Sequence, residues 1–116
     1  MLNLQTVDKV YIARGYTDLR KSIDGLILEV QNELKLDPFE KALFVFCNRQ
    51  QNRLKILHFD EGFWLYYHRI EGNKLKWPQD NDEALNVSVE ELRWLLKGYE
   101  IRTRSKFKPI TKKNTY

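Results

Sequence analysis

The stretch Ala42-Leu43-Phe44-Val45-Phe46-Cys47 decides the fold, because it is apolar at every position. A short apolar run of this kind is typical of a strand that is buried on both faces in the middle of a sheet. It opens a series of four strand-like runs, at 42–48, 53–59, 63–70 and 74–77. The breaks between them are too short for a parallel crossover, which needs about a dozen residues or more. The sequence therefore predicts an antiparallel meander, with Lys74–Trp77 as an edge strand.

A further strand and a helix are predicted before this meander. Residues 7–13 have the composition of a short strand, and Gly15 ends it. A helix is predicted from Thr17-Asp18, both suitable N-caps, to about Leu34, because apolar residues recur on one face at helical spacing.

A second helix follows the meander. Ser88-Val89-Glu90-Glu91 has the pattern of a capping box, and Gly98 is placed for a C-terminal cap after Lys97. The predicted buried stripe of this helix is Leu92, Leu95, Leu96 and Tyr99. The expected fold class is α+β, with an antiparallel meander sheet of four to five strands packed with two α-helices.

The charged residues divide the chain of 116 residues into two parts. Residues 1–101 hold 14 Lys and Arg against 16 Asp and Glu, whereas residues 102–116 hold six Lys and Arg and no acid. We therefore predict a single α+β domain over 1–101 and a basic, flexible tail over 102–116.

Composition excludes several classes of protein. Cys47 is the single cysteine, which rules out an internal disulfide and fits a reducing cytoplasm. No apolar run approaches the ~20 residues of a bilayer span, and the first residues do not resemble a signal peptide. We expect a cytoplasmic protein with no cofactor, no metal, no membrane contact and no small-molecule substrate.

The search for catalytic motifs finds no phosphate-cradling loop, no zinc-binding HExxH pair and no glycine-flanked nucleophile. Cys47, His58 and His68 lie on predicted strands, where a Cys/His pair in space stays open but a packing role is favoured. A two-metal site could draw on the acids Asp18, Asp24, Asp37, Asp60 and Glu61. Asp18, Asp37 and Asp60, however, lie where helix caps and turns favour an acid. No catalytic residue is predicted, and a metal-dependent nuclease using Asp60, Glu61 and the histidines is the minor alternative.

Basic residues follow the predicted meander together with aromatic ones. Arg53 and Lys55 share one face of their strand, as do Lys74 and Lys76 of theirs. A charged sheet with stacking rings is one design for binding nucleic acid. The alternative is that half of the rings face the core and that the cations only prevent aggregation at an edge. The interleaved aromatic residues are Phe59, Phe63, Trp64, Tyr66, Tyr67 and Trp77.

Arg20 and Lys21 lie in the first turn of the predicted first helix, where free N–H groups plus two cations would form an anion site. The alternative is that Asp18 already satisfies those donors. The tail would add general affinity for phosphates, or would have no partner at all. The residues predicted to bind nucleic acid are Arg20, Lys21, Arg49, Arg53, Lys55, Lys74 and Lys76 and, in the tail, Arg102, Arg104, Lys106, Lys108, Lys112 and Lys113.

Two large apolar side chains oppose the predicted buried stripes of their helices. Leu28 lies opposite the stripe of the first helix, and Trp94 lies opposite that of the second. A second layer of the same domain could bury them. If they are exposed, they are candidate anchors for a protein partner, a role in which tryptophan is enriched.

Three blocks of the sequence resemble one family. They are Gly15-Tyr16-Thr17-Asp18-Leu19-Arg20-Lys21-Ser22-Ile23-Asp24-Gly25-Leu26, the run from Leu36-Asp37-Pro38-Phe39 to Arg49, and the run from Arg53 to Trp77-Pro78. In this order they resemble the small accessory protein, the TnpB-type second reading frame, encoded by insertion sequences of the sixty-six group. The likeness covers about residues 7 to 100 and departs in the acid-rich segment 79–86 and in the tail.

The resemblance implies a role in DNA transposition beside a separate transposase and implies no enzymatic activity for this chain. We therefore expect a non-catalytic accessory factor that contacts the transposase of the same element, DNA at the element ends through non-specific phosphate contacts, or both. The alternative is a pure protein-interaction module that docks the transposase without touching DNA.

Overall fold

A five-stranded sheet organises the chain, whose computed structural model describes residues 7–79 and 84–101. Two helices accompany it, α1 (Ile23–Leu28), which continues as a π-helical segment (Glu29–Glu33), and α2 (Val89–Leu96). The α+β class with two helices is confirmed. The strands are β1 (Lys9–Ala13), β2 (Ala42–Cys47), β3 (Arg53–Phe59), β4 (Phe63–Arg69) and β5 (Ala84–Val87), in the spatial order β4-β3-β2-β1-β5.

β2 is the middle strand, and all six of its residues are buried. Its alternate side chains enter two separate cores because successive residues of a strand point to opposite faces. Leu43, Val45 and Cys47 join the core on the α2 side. Phe44 and Phe46 join the core on the α1 side. The prediction of a central strand covered on both faces is confirmed.

The sheet is mixed, which corrects the prediction of an antiparallel meander throughout. β2, β3 and β4 form the predicted antiparallel meander, but β1 pairs with β2 in parallel, with Lys9 opposite Ala42. The connection between β1 and β2 carries α1, and such a crossover over one face is what parallel neighbours require. β5 pairs antiparallel with β1, so β1 is an interior strand.

The first helix begins later than predicted. Its N-cap is Ser22 rather than Thr17 or Asp18. Residues 16–21 are not helical because the Thr17 N–H donates to the Cys47 carbonyl oxygen at 2.8 Å, which draws this segment across the end of β2. The apolar periodicity was correct for the helix body, where Leu26 and Val30 are buried.

The segment predicted as the strand Lys74–Trp77 is not part of the sheet. Leu75 and Trp77 are buried in the core on the α2 side, and the Trp77 Nε1–H donates to the Ala13 carbonyl oxygen at 2.9 Å. The alternation of this segment reflects packing against a face of the sheet rather than pairing at its edge. β5, which forms the actual edge beside β1, lies mostly within the acid-rich segment 79–86, where no strand was predicted.

The prediction for α2 is confirmed at both ends. Ser88 and Glu91 form the capping box, with the Ser88 Oγ accepting from the Glu91 N–H at 3.0 Å. Gly98, at φ 97°, ends the helix in the left-handed region that favours glycine. Tyr99 was predicted in the buried stripe, and this is wrong. Because the chain turns at Gly98, the Tyr99 side chain leaves the helix face and is 63% exposed.

The buried indole hydrogen bond of Trp77 is expected to matter for stability. Trp77→Phe removes the donor of the buried hydrogen bond to the Ala13 carbonyl oxygen. We expect the free energy of unfolding, measured by urea denaturation, to fall by about 2 kcal/mol. Trp94→Phe, the same change at an exposed residue, should change it by no more than about 0.5 kcal/mol. Equal effects of the two changes would contradict this account of the core.

Candidate nucleic-acid interface

A cleft opens where the carboxyl ends of β1 and β2 meet. Because these strands are parallel, the segments that leave them start at the same edge of the sheet. Gly15, at φ 78°, lets the chain turn after β1, and the hydrogen bond from Thr17 to Cys47 ties it to the end of β2. Residues 16–20 and 48–50, which are distant in sequence, therefore form one surface.

Asn48 organises the second of these loops. Its side chain is buried, and its Oδ1 accepts hydrogen bonds from the backbone N–H groups of Asn52 and Arg53, each at 3.0 Å. Its Nδ2 donates to the side-chain oxygens of Gln50 at 3.2 Å and Asn52 at 2.8 Å. Breaking this network would leave buried polar groups unpaired, which is costly. Arg49 and Arg53 therefore extend from a rigid turn.

Two cations of β3 form one wall of the cleft. Arg53 and Lys55 lie on the face of the sheet that α1 covers, and the prediction that they share a face is confirmed. The Arg53 Nε donates to the Tyr67 hydroxyl at 2.9 Å. The Lys55 Nζ donates to the Lys21 carbonyl oxygen at 3.0 Å. The Arg53 Nη1 also donates to the Asn52 side-chain oxygen at 3.4 Å. Because all of these partners are neutral, neither charge is neutralised.

Arg20 stands on the opposite wall and forms a bidentate pair with Asp18. The Arg20 Nε and Nη2 donate to the carboxylate at 3.0 and 2.8 Å, and the Arg20 backbone N–H donates to Asp18 Oδ1 at 3.0 Å. These hydrogen bonds lower the pKa of the Asp18 carboxyl to about 2. Asp18 thus organises a turn ahead of the helix, whereas the prediction that it caps the helix is wrong.

Lys21 stands beside the cleft rather than in it. Its ammonium group pairs with Glu29 at 2.5 Å, and only its backbone carbonyl meets Lys55. Arg20 and Lys21 were predicted in the first turn of a helix, but both precede Ser22, the actual N-cap. The two cations therefore lie just ahead of the helix rather than in its first turn, and the anion site stays a prediction. Arg20 contributes to the surface through the loop instead.

The cleft is open to solvent and has a volume of about 770 Å³. Four of the predicted nucleic-acid contacts line it, together with a single carboxylate, Asp18. Arg49 lies over the Tyr16 ring, with its guanidinium carbon 5.7 Å from the ring centroid. The lining residues are Tyr16, Thr17, Asp18, Leu19, Arg20, Asn48, Arg49, Gln50, Arg53, Lys55 and Tyr67.

The remaining predicted contact residues lie elsewhere. Lys74 and Lys76 are exposed but do not line the cleft. Leu28 and Trp94 are 55% and 48% exposed, on helices whose cores lie on opposite faces of the sheet, so they belong to separate surfaces. The six tail residues, Arg102, Arg104, Lys106, Lys108, Lys112 and Lys113, lie outside the described residues.

Cys47 and His58, which were considered for enzymatic chemistry, are buried within the sheet. Burial raises the pKa of the Cys47 thiol to about 12, and the His58 Nδ1 lies 3.2 Å from the Ala42 carbonyl oxygen. Over residues 7–79 and 84–101, no three His, Cys, Asp or Glu side chains are grouped so as to hold a metal ion. In the same ranges, neither helix has the length and apolar character that crossing a membrane requires.

Sequence reasoning missed three residues around these grooves. Asn48 directly follows β2 and Tyr16 lies three residues after the end of β1, and only the parallel pairing of β1 and β2 shows that they meet. Arg14 is a buried cation outside the cleft, in a second groove of about 580 Å³ beside β5. It is 9% exposed, and its Nε and Nη1 have no hydrogen-bond partner within the described part of the chain.

The fold and the cleft define a small α+β protein with a cationic, tyrosine-bearing cleft at the ends of two parallel strands. A family model described as IS66 Orf2 like protein matches residues 8–106, and the chain belongs to this family. The resemblance found in the sequence is confirmed. Membership associates the chain with an insertion sequence and its transposition.

Two proteins of Sinorhizobium fredii (strain NBRC 101917 / NGR234) are similar along most of their length. The uncharacterized protein y4hO is 37% identical over 95 residues, which cover 81% of this chain and 83% of the relative. The uncharacterized protein y4jC is 32% identical over 103 residues, which cover 88% and 87%. No solved structure matches the chain.

The ion pair of Asp18 can be tested by titration. We expect the Asp18 carboxyl to titrate at about pH 2, and Arg20→Gln to return its pKa toward the ordinary 3.8, because the largest lowering comes from the Arg20 side chain. Since the folded pKa is the lower one, the pair stabilises the fold above the ordinary value and this contribution is lost as the pH falls through about 2.

Carbon-detected NMR of the side-chain carboxyls provides the measurement. Arg69→Gln serves as the control, because Arg69 is an exposed arginine paired with Glu71 outside the cleft. The same Asp18 midpoint in the wild type and in Arg20→Gln would contradict the geometry described for this wall.

Proposed function

We propose that this chain is a non-catalytic, cytoplasmic accessory factor of transposition that binds DNA phosphates in the cleft. The observation that carries the proposal is the convergence of Arg20, Arg49, Arg53 and Lys55, from three separate segments, around one carboxylate. Such a concentration of like charge costs repulsion and is typical of a site for a polyanion. The family assignment supports DNA as that polyanion.

The cations of the cleft retain donors for phosphate oxygens. Arg49 contacts the Tyr16 ring and makes no hydrogen bond through its side chain within the described residues. Lys55 uses one of its three N–H donors on a backbone carbonyl. The pair between Arg20 and Asp18 is exposed, and exposed pairs contribute little to stability, so a phosphate can compete for the guanidinium.

The proposed contacts read no base edges, so the affinity they give depends on salt rather than on sequence. In this proposal the tail acts in the same way, with six further cations. DNA at the ends of the element would then be selected by the transposase of the same element, while this chain adds phosphate contacts.

The double variant Arg49→Gln/Lys55→Gln tests the cleft. In titrations of labelled duplex DNA at several salt concentrations, we expect the slope of log affinity against log salt to become shallower by about 2, because two phosphate contacts are lost. Lys41→Gln is the matched control, because Lys41 is an exposed cation at the opposite end of β2. Lys41→Gln should change the slope much less than the double variant does.

A chain ending at Ile101 measures the contribution of the tail, which should account for a slope of up to about 5. The proposal fails if the full chain does not bind duplex DNA at low salt, or if Lys41→Gln weakens binding as much as the loss of either cleft cation.

A second candidate function is docking of the transposase without DNA contact. The observation that favours it is the exposure of Trp94 at 48% on α2, beside Tyr99 at 63%. Large exposed aromatic side chains are enriched at the centres of protein interfaces. Leu28 is a separate anchor of the same kind on α1.

Trp94→Ala separates the two candidates. If Trp94 anchors the transposase, this variant should reduce co-purification with the transposase by about tenfold or more while duplex DNA binding stays unchanged. Leu28→Ala tests the other surface in the same assay. Undiminished co-purification of both variants would exclude these two side chains as anchors.

A further inference from the structure

Two tyrosine rings stand in the cleft among its cations. Tyr16 is 43% exposed and Tyr67 is 57% exposed, and both line the cleft. Each belongs to a different wall, because Tyr16 follows β1 and Tyr67 lies on β4 opposite Lys55. Phosphate binding alone does not need such rings, since cations and backbone N–H groups are sufficient for it.

Both rings are held by arginines without being buried. The Tyr67 hydroxyl accepts from the Arg53 Nε at 2.9 Å, which fixes the edge of the ring and leaves its faces available. The Arg49 guanidinium lies over the Tyr16 ring, 5.7 Å from its centroid. Rings that are already positioned lose little conformational freedom when a ligand stacks on them.

The neighbouring cations suit a ligand that carries both flat faces and negative charges. Lys55 pairs directly with Tyr67 across β3 and β4, and Arg53 bonds that ring, so a group stacked on Tyr67 lies close to two positive charges. A nucleotide carries a flat aromatic base and a negatively charged phosphate within one small unit. Stacking on aromatic side chains beside a cationic groove is the usual way in which single strands are bound.

A DNA duplex cannot use the rings. In a duplex the faces of the bases are stacked on one another, and only base edges, sugars and phosphates reach a protein. A duplex can therefore meet the cations of the cleft only through its phosphates, and it leaves the two rings without a stacking partner. Unpaired bases, in contrast, can enter the cleft and stack.

We propose that the cleft binds unpaired DNA, with bases stacked on Tyr67 and Tyr16 and the adjoining phosphates on Arg49, Arg53 and Lys55. This inference rests on the proposed DNA-binding function and names its substrate class, which is a single strand rather than a duplex. The duplex binds only through its phosphates, to the cations of the cleft and of the tail.

The test compares two DNA probes by fluorescence anisotropy with the full chain at one salt concentration. The probes are an oligothymidylate of about 12 nucleotides, which has no stable paired form, and a mixed-sequence duplex of about 12 base pairs. We expect the single strand to bind about tenfold more tightly than the duplex, because only the single strand gains stacking.

Variants of the tyrosines give the sharper readout. Tyr67→Ala should weaken binding of the single strand by about tenfold or more and change duplex binding less than twofold, whereas Tyr67→Phe should retain most of the affinity because the ring remains. Tyr16→Ala should act in the same direction. Tyr99→Ala is the matched control, since Tyr99 is an exposed tyrosine outside the cleft.

The outcomes separate this inference from the proposed function. Three results together overturn the single-strand assignment and leave DNA binding in place. Both probes bind with equal affinity, Tyr67→Ala binds no more weakly than Tyr99→Ala, and Arg49→Gln/Lys55→Gln still weakens binding. Binding of neither probe overturns both. Unchanged duplex binding by Tyr67→Ala excludes a folding defect, and a loss of single-strand binding that appears with alanine but not with phenylalanine identifies the ring itself.

Discussion

The parallel pairing of β1 and β2 is the constraint on which the cleft depends. It brings the carboxyl ends of two strands to one edge, and the hydrogen bond from the Thr17 N–H to the Cys47 carbonyl extends that pairing into the loops. Asn48 then holds the turn that carries Arg49 and leads into β3. With an antiparallel β1, Tyr16 and Arg20 would leave the sheet at its opposite end, and the cations would not converge.

The arrangement of surfaces fits an accessory role. The cleft lies at one end of the sheet, whereas the exposed side chains of Leu28 and Trp94 lie on helices that cover its two faces. In the proposed function, contact with DNA at the end and contact with the transposase on a face could therefore occur together.

Local patterns predicted the parts of the fold that depend on near neighbours in sequence. The apolar run of β2, the short breaks of the meander and the capping box at Ser88 all correspond to observed elements. The segment Lys74–Trp77 could not be assigned in this way, because the same alternation arises from pairing at an edge and from packing on a face.

Long-range contacts decide such cases, and they also decide which residues form the candidate site. Arg20, Arg49 and Lys55 were each predicted as phosphate contacts, but their convergence, and the place of Tyr16 beside them, follows only from the pairing of β1 with β2.

Backbone NMR of the full chain during titration with an oligothymidylate tests the central claim most directly. If the cleft formed by the two strand ends binds the DNA, the amide shifts that move should cluster at residues 16–20, 48–55 and 67, while those around Leu28 and Trp94 stay in place. The account would be contradicted if the amide signals of either helix, or of residues 102–116, shifted while those of the cleft stayed unchanged.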